Sequence, residues 1–106
     1  PIEIEELLDR PQVPLDREGM ARLIQGKRVL VTGAGGTIGG ELARQVAALG
    51  PASLTLLDHG EYVLYEIDLE LREGHPEVKR TAVLADVRDE ARIRRLCAEL
   101  CPELVF

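Results

Sequence analysis

The stretch Lys27–Gly39, KRVLVTGAGGTIG, decides the fold of this chain. It begins with a short apolar strand, Val29-Leu30-Val31, which runs directly into a glycine-rich turn. A helix is predicted next, over about residues 37–49, because apolar side chains recur there at helical spacing. These side chains are Ile38, Leu42, Val46 and Leu49. A strand, a glycine-rich turn and a helix N-terminus in this order form an anion site, since free backbone N–H groups and the helix dipole both favour negative charge.

The glycines of the turn have separate predicted roles. Gly33 lets the chain leave the strand in a tight turn, Gly35 or Gly36 lets a pyrophosphate approach bare backbone, and Gly39 lets the helix lie close to the strand. An acid, Asp58, follows nineteen residues after Gly39, at the end of a second apolar strand. This context is the one that a dinucleotide fingerprint requires. We therefore predict a dinucleotide site, with a turn that only packs a strand against a helix as the alternative.

Other classes of site are excluded by residue type and charge. No Lys-Ser or Lys-Thr pair follows the glycines, which excludes a P-loop. The net charge of −6 argues against nonspecific nucleic-acid binding and against an anionic membrane surface. Cys97 and Cys101 are four residues apart, which fits neither a C-x-x-C redox motif nor a zinc framework. No signal peptide and no apolar run of about twenty residues is present, so we expect a cytoplasmic protein.

The remainder of the chain alternates strands and helices. Predicted strands cover about residues 28–32, 53–57 and 80–85 and begin again at 103, and predicted helices cover about 37–49, 61–73 and 90–100. The last helix is expected to bury Ile93, Leu96, Cys97 and Leu100. Short connections between alternating elements require a parallel sheet. The fold class is therefore α/β, the first half of a Rossmann-type doubly wound sheet of three to four strands in the order 3-2-1-4, with helices on both faces.

The domain organisation follows from the same pattern. Residues 1–15, which Pro11 and Pro14 interrupt, are interpreted as a connector from an upstream region, with Asp16 as the N-cap of a helix that ends near Gln25. Residues 16–106 are interpreted as the N-terminal part of a dinucleotide-binding domain. The chain starts at Pro1 without Met and closes on an apolar run, so we expect it to be a piece of a longer protein.

Four residues at or after predicted strand ends are expected to border the adenosine: Asp58, His59, Asp86 and Val87. Asp58 can accept both ribose hydroxyls, and its charge repels a 2′-phosphate. Because no Arg or Lys lies between residues 53 and 71, we favour NAD over NADP. Asp58 also has an alternative role as the N-cap of the following helix. His59 is expected to border the adenosine or to lie in solvent, and Asp86 with Val87 is expected to flank the adenine, with a turn-forming Asp86 as the alternative.

Three motifs in this order resemble the extended short-chain dehydrogenases: Val-Thr-Gly-Ala-Gly-Gly-Thr-Ile-Gly, Leu-Leu-Asp-His-Gly-Glu-Tyr-Val-Leu-Tyr-Glu-Ile and Ala-Asp-Val-Arg-Asp. More narrowly, the chain is similar over essentially its whole length to the CapD-like polysaccharide biosynthesis branch of nucleotide-sugar 4,6-dehydratases and epimerases. By motif match, Gly33, Gly36 and Gly39 form the pyrophosphate turn. One departure is Gly40, where a Ser is more usual. The full set of expected cofactor contacts is Gly33, Ala34, Gly35, Gly36, Thr37, Ile38, Gly39, Asp58, His59, Asp86 and Val87.

The resemblance implies a redox-neutral reaction on a UDP-sugar such as UDP-N-acetylglucosamine, with bound NAD(P). The family's catalytic residues lie beyond this chain, so no catalytic residue and no metal ligand is predicted within it. The alternatives are a UDP-sugar 4-epimerase or oxidoreductase, a non-catalytic nucleotide-binding module, or a structural half-domain. We expect a nucleotide-sugar as the partner of the full-length protein, a homo-oligomer, no nucleic acid, and contact with the inner face of the membrane through an upstream region alone.

Overall fold

A computed structural model describes residues 17–106, so the predicted connector and the predicted N-cap Asp16 lie outside the described residues. Helices and strands alternate along the described chain within a residue or two of the predicted bounds. The elements are α1 (Arg17–Ile24), β1 (Arg28–Thr32), α2 (Thr37–Ala48), β2 (Ser53–Asp58), α3 (Glu61–Gly74), β3 (Arg80–Leu84), α4 (Glu90–Leu100) and β4 (Leu104–Val105).

The four strands form one parallel sheet in the order β3-β2-β1-β4. Val29 of β1 lies opposite Leu54 of β2 on one side and opposite Leu104 of β4 on the other. Leu54 in turn lies opposite Arg80 of β3. The order reverses between β1 and β4, and a ligand crevice is expected at such a point in a doubly wound sheet. The predicted fold class and strand order are confirmed.

Apolar side chains cover both faces of the sheet, because successive residues of a strand point to opposite sides. Val29, Val31, Leu54 and Leu56 belong to a large core cluster that includes side chains of α1, α2 and α3. Leu30 and Leu57 point to the other face, where Ile93, Leu96 and Cys97 of α4 pack against them. Near-continuous apolar strands are typical of parallel sheets that are buried on both faces.

One residue of the apolar face predicted for α2, Ile38, does not face the core. Ile38 is 85% exposed and does not contact the core. The helix is buried instead through small residues: Gly40, Ala43, Val46 and Ala47. The first turn of α2 lies so close to the end of β1 that backbone replaces side chain at the contact, which leaves Ile38 on the outside. Leu42 and Leu49 are partly buried against the core, as predicted.

The side chains that α4 was expected to bury are also less buried than predicted. None of its residues is fully buried. Ile93, Leu96 and Cys97 pack against the smaller cluster while remaining partly accessible, and Leu100 is half-buried. The physical reason is that α4 covers its face of the sheet without a neighbouring helix in the described chain, so one side of its apolar stripe stays open.

Candidate dinucleotide-binding site

The glycine turn, residues 33–36, connects β1 to α2 at the carboxyl end of the sheet. Gly33 has a φ of +62°, a left-handed conformation that favours glycine. The N–H of Gly36 donates to the carbonyl of Gly33 at 3.0 Å, which closes the turn. Gly36 is the N-cap of α2, and no side chain within residues 17–106 caps the helix. The first-turn N–H groups of α2 therefore have no intrahelical acceptor and form a candidate anion site.

Gly39 brings α2 close to the turn. A Cβ atom added at Gly39 would lie 2.0 Å from the carbonyl oxygen of Gly33 and 2.6 Å from its carbon. Only a residue without a side chain fits this contact. The predicted role of Gly39, close packing of the helix on the end of β1, is therefore confirmed.

The sequence left open whether Gly35 or Gly36 gives a pyrophosphate access to the backbone, and the surroundings of the two glycines differ in the structure. A Cβ at Gly35 would lie 2.5 Å from Cγ2 of Val63, so the space beside Gly35 is filled by a side chain of α3. Among the atoms of the described residues, a Cβ at Gly36 would meet the carbonyl oxygen of Gly33 alone, at 3.4 Å. Gly36 is exposed, and it is the residue of the pair that leaves room for a pyrophosphate beside the backbone. Its contact with a cofactor remains a prediction.

Asp58 lies at the end of β2 with its side chain 8% exposed. The N–H of Gly35 donates to Oδ2 at 2.9 Å, and the N–H of Gly60 donates to Oδ1 at 2.8 Å. Because a carboxylate offers about four lone-pair sites, each oxygen keeps capacity for one further donor, such as a ribose hydroxyl. The alternative role as a helix cap is wrong: the N-cap of α3 is Gly60, and no side chain of the described residues makes a cap hydrogen bond there.

Asp86 lies next to this site, since the N–H of Ala85 donates to the carbonyl of Asp58 at 3.0 Å. Its carboxylate accepts hydrogen bonds from Arg88, with the backbone N–H at 2.9 Å and Nη2 at 2.7 Å. The Arg88 side chain, then its backbone N–H, and more weakly the nearby His59, lower the pKa of Asp86 to about 2. Asp86 therefore also makes the turn that was its alternative role.

The two remaining predicted contacts lie at the surface. His59 is exposed, with Nδ1 3.8 Å from Oδ1 of Asp58. Val87 is 55% exposed, as a residue that borders a ligand on an open edge would be. Sequence reasoning missed Val63 and Arg88. The Asp-x-Arg spacing is a local signal for Arg88, whereas nothing in the sequence connects Val63 with a glycine 28 residues earlier.

A small cavity of about 150 Å³ lies between α2 and α3, beside the glycine turn. Arg44 bridges the two helices there, because its Nη2 donates to Oε1 of Glu70 at 3.1 Å. This pairing raises the pKa of Arg44 and lowers that of Glu70. Both side chains are about half exposed, so their contribution to the free energy of unfolding is at most about 1 kcal/mol.

A parallel sheet in this order, with a glycine turn and an acid at the end of β2, has the arrangement of a doubly wound dinucleotide-binding fold. The family model described as "Polysaccharide biosynthesis protein" matches residues 29–106. The chain belongs to this polysaccharide biosynthesis protein family.

Two relatives match over nearly the whole chain. The capsular polysaccharide biosynthesis protein CapD of Staphylococcus aureus is 40% identical over 106 residues, and the probable polysaccharide biosynthesis protein EpsC of Bacillus subtilis is 41% identical over 107. In both comparisons the match covers 99% of this chain and 18% of the relative. The chain thus spans less than a fifth of the length of these relatives. The predicted resemblance to CapD-like extended short-chain dehydrogenases is confirmed.

Solved structures support the same class. A short-chain dehydrogenase/reductase from Burkholderia phymatum, in complex with NAD, has a TM-score of 0.65 and 30% identity. That match covers 73% of this chain and 26% of the other. The L-sorbose reductase of Gluconobacter frateurii, complexed with NADPH and L-sorbose, has a TM-score of 0.64 at 23% identity, which shows a shared fold.

Residues 17–106 contain neither a membrane-spanning helix nor a cluster of metal ligands. None of the helices in this range combines the length and the apolar character needed to cross a bilayer. In the same range, no three His, Cys, Asp or Glu side chains come together as ligands for a metal ion.

Proposed function

We propose that this chain is the adenosine-diphosphate-binding part of an NAD-dependent nucleotide-sugar 4,6-dehydratase of polysaccharide biosynthesis. One observation carries the cofactor part of the proposal: the nearly buried Asp58 carboxylate is held beside the uncapped start of α2. Family membership supports the biosynthetic role. The substrate would be a UDP-sugar of the UDP-N-acetylglucosamine type, and the protein would act in the cytoplasm as a homo-oligomer.

The residues of the site fit a nicotinamide dinucleotide. The N–H groups of the first turn of α2 would bind the pyrophosphate, and the exposed Gly36 leaves the space that it needs. The free lone pairs of Asp58 would accept the ribose hydroxyls. Asp86 and Val87 would border the adenine, with Asp86 shared between the adenine and Arg88. When bound, the cofactor supplies hydride transfer, and this chain binds and orients its adenosine end.

NAD is the proposed form of the cofactor because of the charge beside the ribose. The Asp58 carboxylate would repel a 2′-phosphate, and no Arg or Lys occurs between residues 53 and 71 to neutralise that group. The basic side chain closest in sequence to the predicted adenine contacts is Arg88, and its guanidinium is paired with Asp86.

The proposed reaction is tested with the full-length protein, UDP-N-acetylglucosamine and NAD, followed by mass spectrometry. We expect loss of one water from the sugar and a 4-keto-6-deoxy product. Interconversion of sugar isomers without loss of water would instead assign a 4-epimerase. NAD binding with neither product from this sugar would remove the assigned reaction and favour a non-catalytic nucleotide-binding module.

Replacing Gly36 with valine should block dinucleotide binding while the protein still folds. The added Cβ meets a single atom of the described chain, at 3.4 Å, but the side chain would occupy the space proposed for the pyrophosphate. We expect a loss of NAD affinity of at least about tenfold, measured by calorimetry on the full-length protein.

The matched control for this variant is Gly74→Val, the same change at the end of α3, where no atom of the described chain lies within 4 Å of the added Cβ. The control should bind NAD as the wild type does. Unchanged NAD affinity in Gly36→Val would remove the assignment of the glycine turn to the pyrophosphate.

A further inference from the structure

Val63, in the first turn of α3, lies between two glycines that are far apart in sequence. A Cβ added at Gly35 would be 2.5 Å from Cγ2 of Val63, and one added at Gly60 would be 2.9 Å from the same atom. The Cγ2 methyl group therefore lies beside both backbones, and beside Gly35 it shares the contact with the Cβ of Val63, at 2.7 Å from the added atom, and with the main-chain carbon of Val63, at 2.9 Å. Val63 is 39% exposed, so this contact does not belong to the fully buried core.

The two glycines that contact Val63 are also the two donors to Asp58. The N–H of Gly35 donates to Oδ2, and the N–H of Gly60 donates to Oδ1. The orientation of the carboxylate therefore depends on the separation of two backbone segments, and the Val63 side chain sets that separation. Valine suits this role because its β-branch restricts it to essentially one χ1 rotamer in a helix.

We propose that Val63 is a positioning residue for cofactor selection, resting on the NAD site proposed above. Its Cγ2 methyl keeps Gly35 and Gly60 where their N–H groups hold both oxygens of Asp58. The carboxylate then keeps its remaining lone pairs directed at the 2′- and 3′-hydroxyls of the ribose. A carboxylate with a less fixed orientation would bind these hydroxyls less well and would repel a 2′-phosphate less strongly. Selectivity for NAD over NADP would therefore fall.

The first test is Val63→Ala in the full-length protein, with NAD and NADP titrated in parallel by calorimetry. We expect NAD affinity to fall by about fivefold to tenfold and NADP affinity to stay level or rise. Alanine has a higher helix propensity than valine, so α3 itself should not be weakened. The conservative control, Val63→Ile, keeps a carbon at both γ positions and should keep the wild-type ratio of the two affinities. An unchanged ratio in Val63→Ala would overturn the proposal.

The second test is a double-mutant cycle with Gly60→Ala. The φ of Gly60 is −96°, which alanine adopts readily, and two atoms of the described chain lie within 4 Å of the added Cβ. They are Cγ2 of Val63 at 2.9 Å and Oδ1 of Asp58 at 3.4 Å. Gly60→Ala alone should lower the NAD/NADP ratio, and Val63→Ala in the same protein should recover part of it by removing the clash. Independent, additive losses would contradict the proposal.

Hydrogen exchange of the cofactor-free protein separates this inference from the proposed function. Val63→Ala should speed amide exchange at Gly35 and Gly60 relative to Val63→Ile, whichever nucleotide the protein binds. If the wild type binds neither dinucleotide, the proposed function fails, and the exchange result still decides whether Val63 holds the two amides. Equal exchange in the two variants would show that it does not.

Discussion

Gly39→Ala should abolish dinucleotide binding and destabilise the domain by several kcal/mol. The added Cβ would lie 2.0 Å from the carbonyl oxygen of Gly33, 2.6 Å from its carbon and 3.2 Å from the nitrogen of Ala34. All three atoms are backbone, so no side-chain rotation relieves the overlap. Overpacking costs about 1–3 kcal/mol where side chains can adjust, and more is expected here. The gain in helix propensity from alanine, about 1 kcal/mol, does not offset it.

The measurement for this variant is chemical denaturation together with NAD titration of the full-length protein. The matched control is Gly74→Ala, which adds the same methyl group at the end of α3 with no atom within 4 Å. The control should be as stable as the wild type or slightly more stable, and it should bind NAD equally well. Wild-type stability in Gly39→Ala would mean that α2 does not approach the end of β1 as closely as the structure shows.

Asp58→Asn should have the second large effect, on both stability and cofactor choice. Each carboxylate oxygen accepts a backbone N–H, one from Gly35 and one from Gly60. An asparagine has one acceptor oxygen, so its amide NH₂ must face the second backbone donor. Leaving one nearly buried donor without an acceptor costs about 1–3 kcal/mol. The lost negative charge should also weaken NAD binding more than NADP binding, because it no longer repels a 2′-phosphate.

The control for Asp58→Asn is Asp89→Asn, which removes the same charge at the N-cap of α4. Asp89 accepts a hydrogen bond from the N–H of Arg92, and asparagine caps helices about as well as aspartate. Calorimetry with both dinucleotides should therefore show a change in the NAD/NADP ratio for Asp58→Asn alone. Equal losses of NAD and NADP would remove the reason for preferring NAD.

The two variants test different parts of the site. Gly39→Ala acts through a steric contact between backbone segments, so it should affect folding and every dinucleotide alike. Asp58→Asn acts through hydrogen bonding and charge, so it should separate NAD from NADP. Together they distinguish a turn that only packs a strand against a helix from a turn that binds a ligand.

Most of the fold was predictable because its signals are local. The near-continuous apolar runs of Val29–Val31 and Leu54–Leu57 mark strands that are buried on both faces, and glycine spacing marks the turn between β1 and α2. Short connections between alternating strands and helices then require that the strands form a parallel sheet. Asp58 was identifiable as a site residue for the same reason, since its position at a strand end is visible in the sequence.

The errors and omissions concern contacts between segments that are distant in the chain. Ile38 has the spacing of a core residue, but the approach of backbone to backbone at Gly39 leaves it outside the core. The half-burial of α4 likewise depends on what packs beside it, which its own periodicity does not encode. Local sequence patterns indicate which side of a helix or strand is apolar, and the neighbouring helices and strands determine how much of that side is buried.

By itself, the sequence determined the α/β order, the glycine turn at the start of α2 and the acid at the end of β2, because each depends on residues within a few positions of one another. The tertiary structure alone decided what surrounds that acid. Gly35 and Gly60 come from different turns and Val63 from α3, and they meet because β1 and β2 lie side by side with their carboxyl ends together. Contacts of this kind leave no local pattern, since the packing of whole strands and helices creates them.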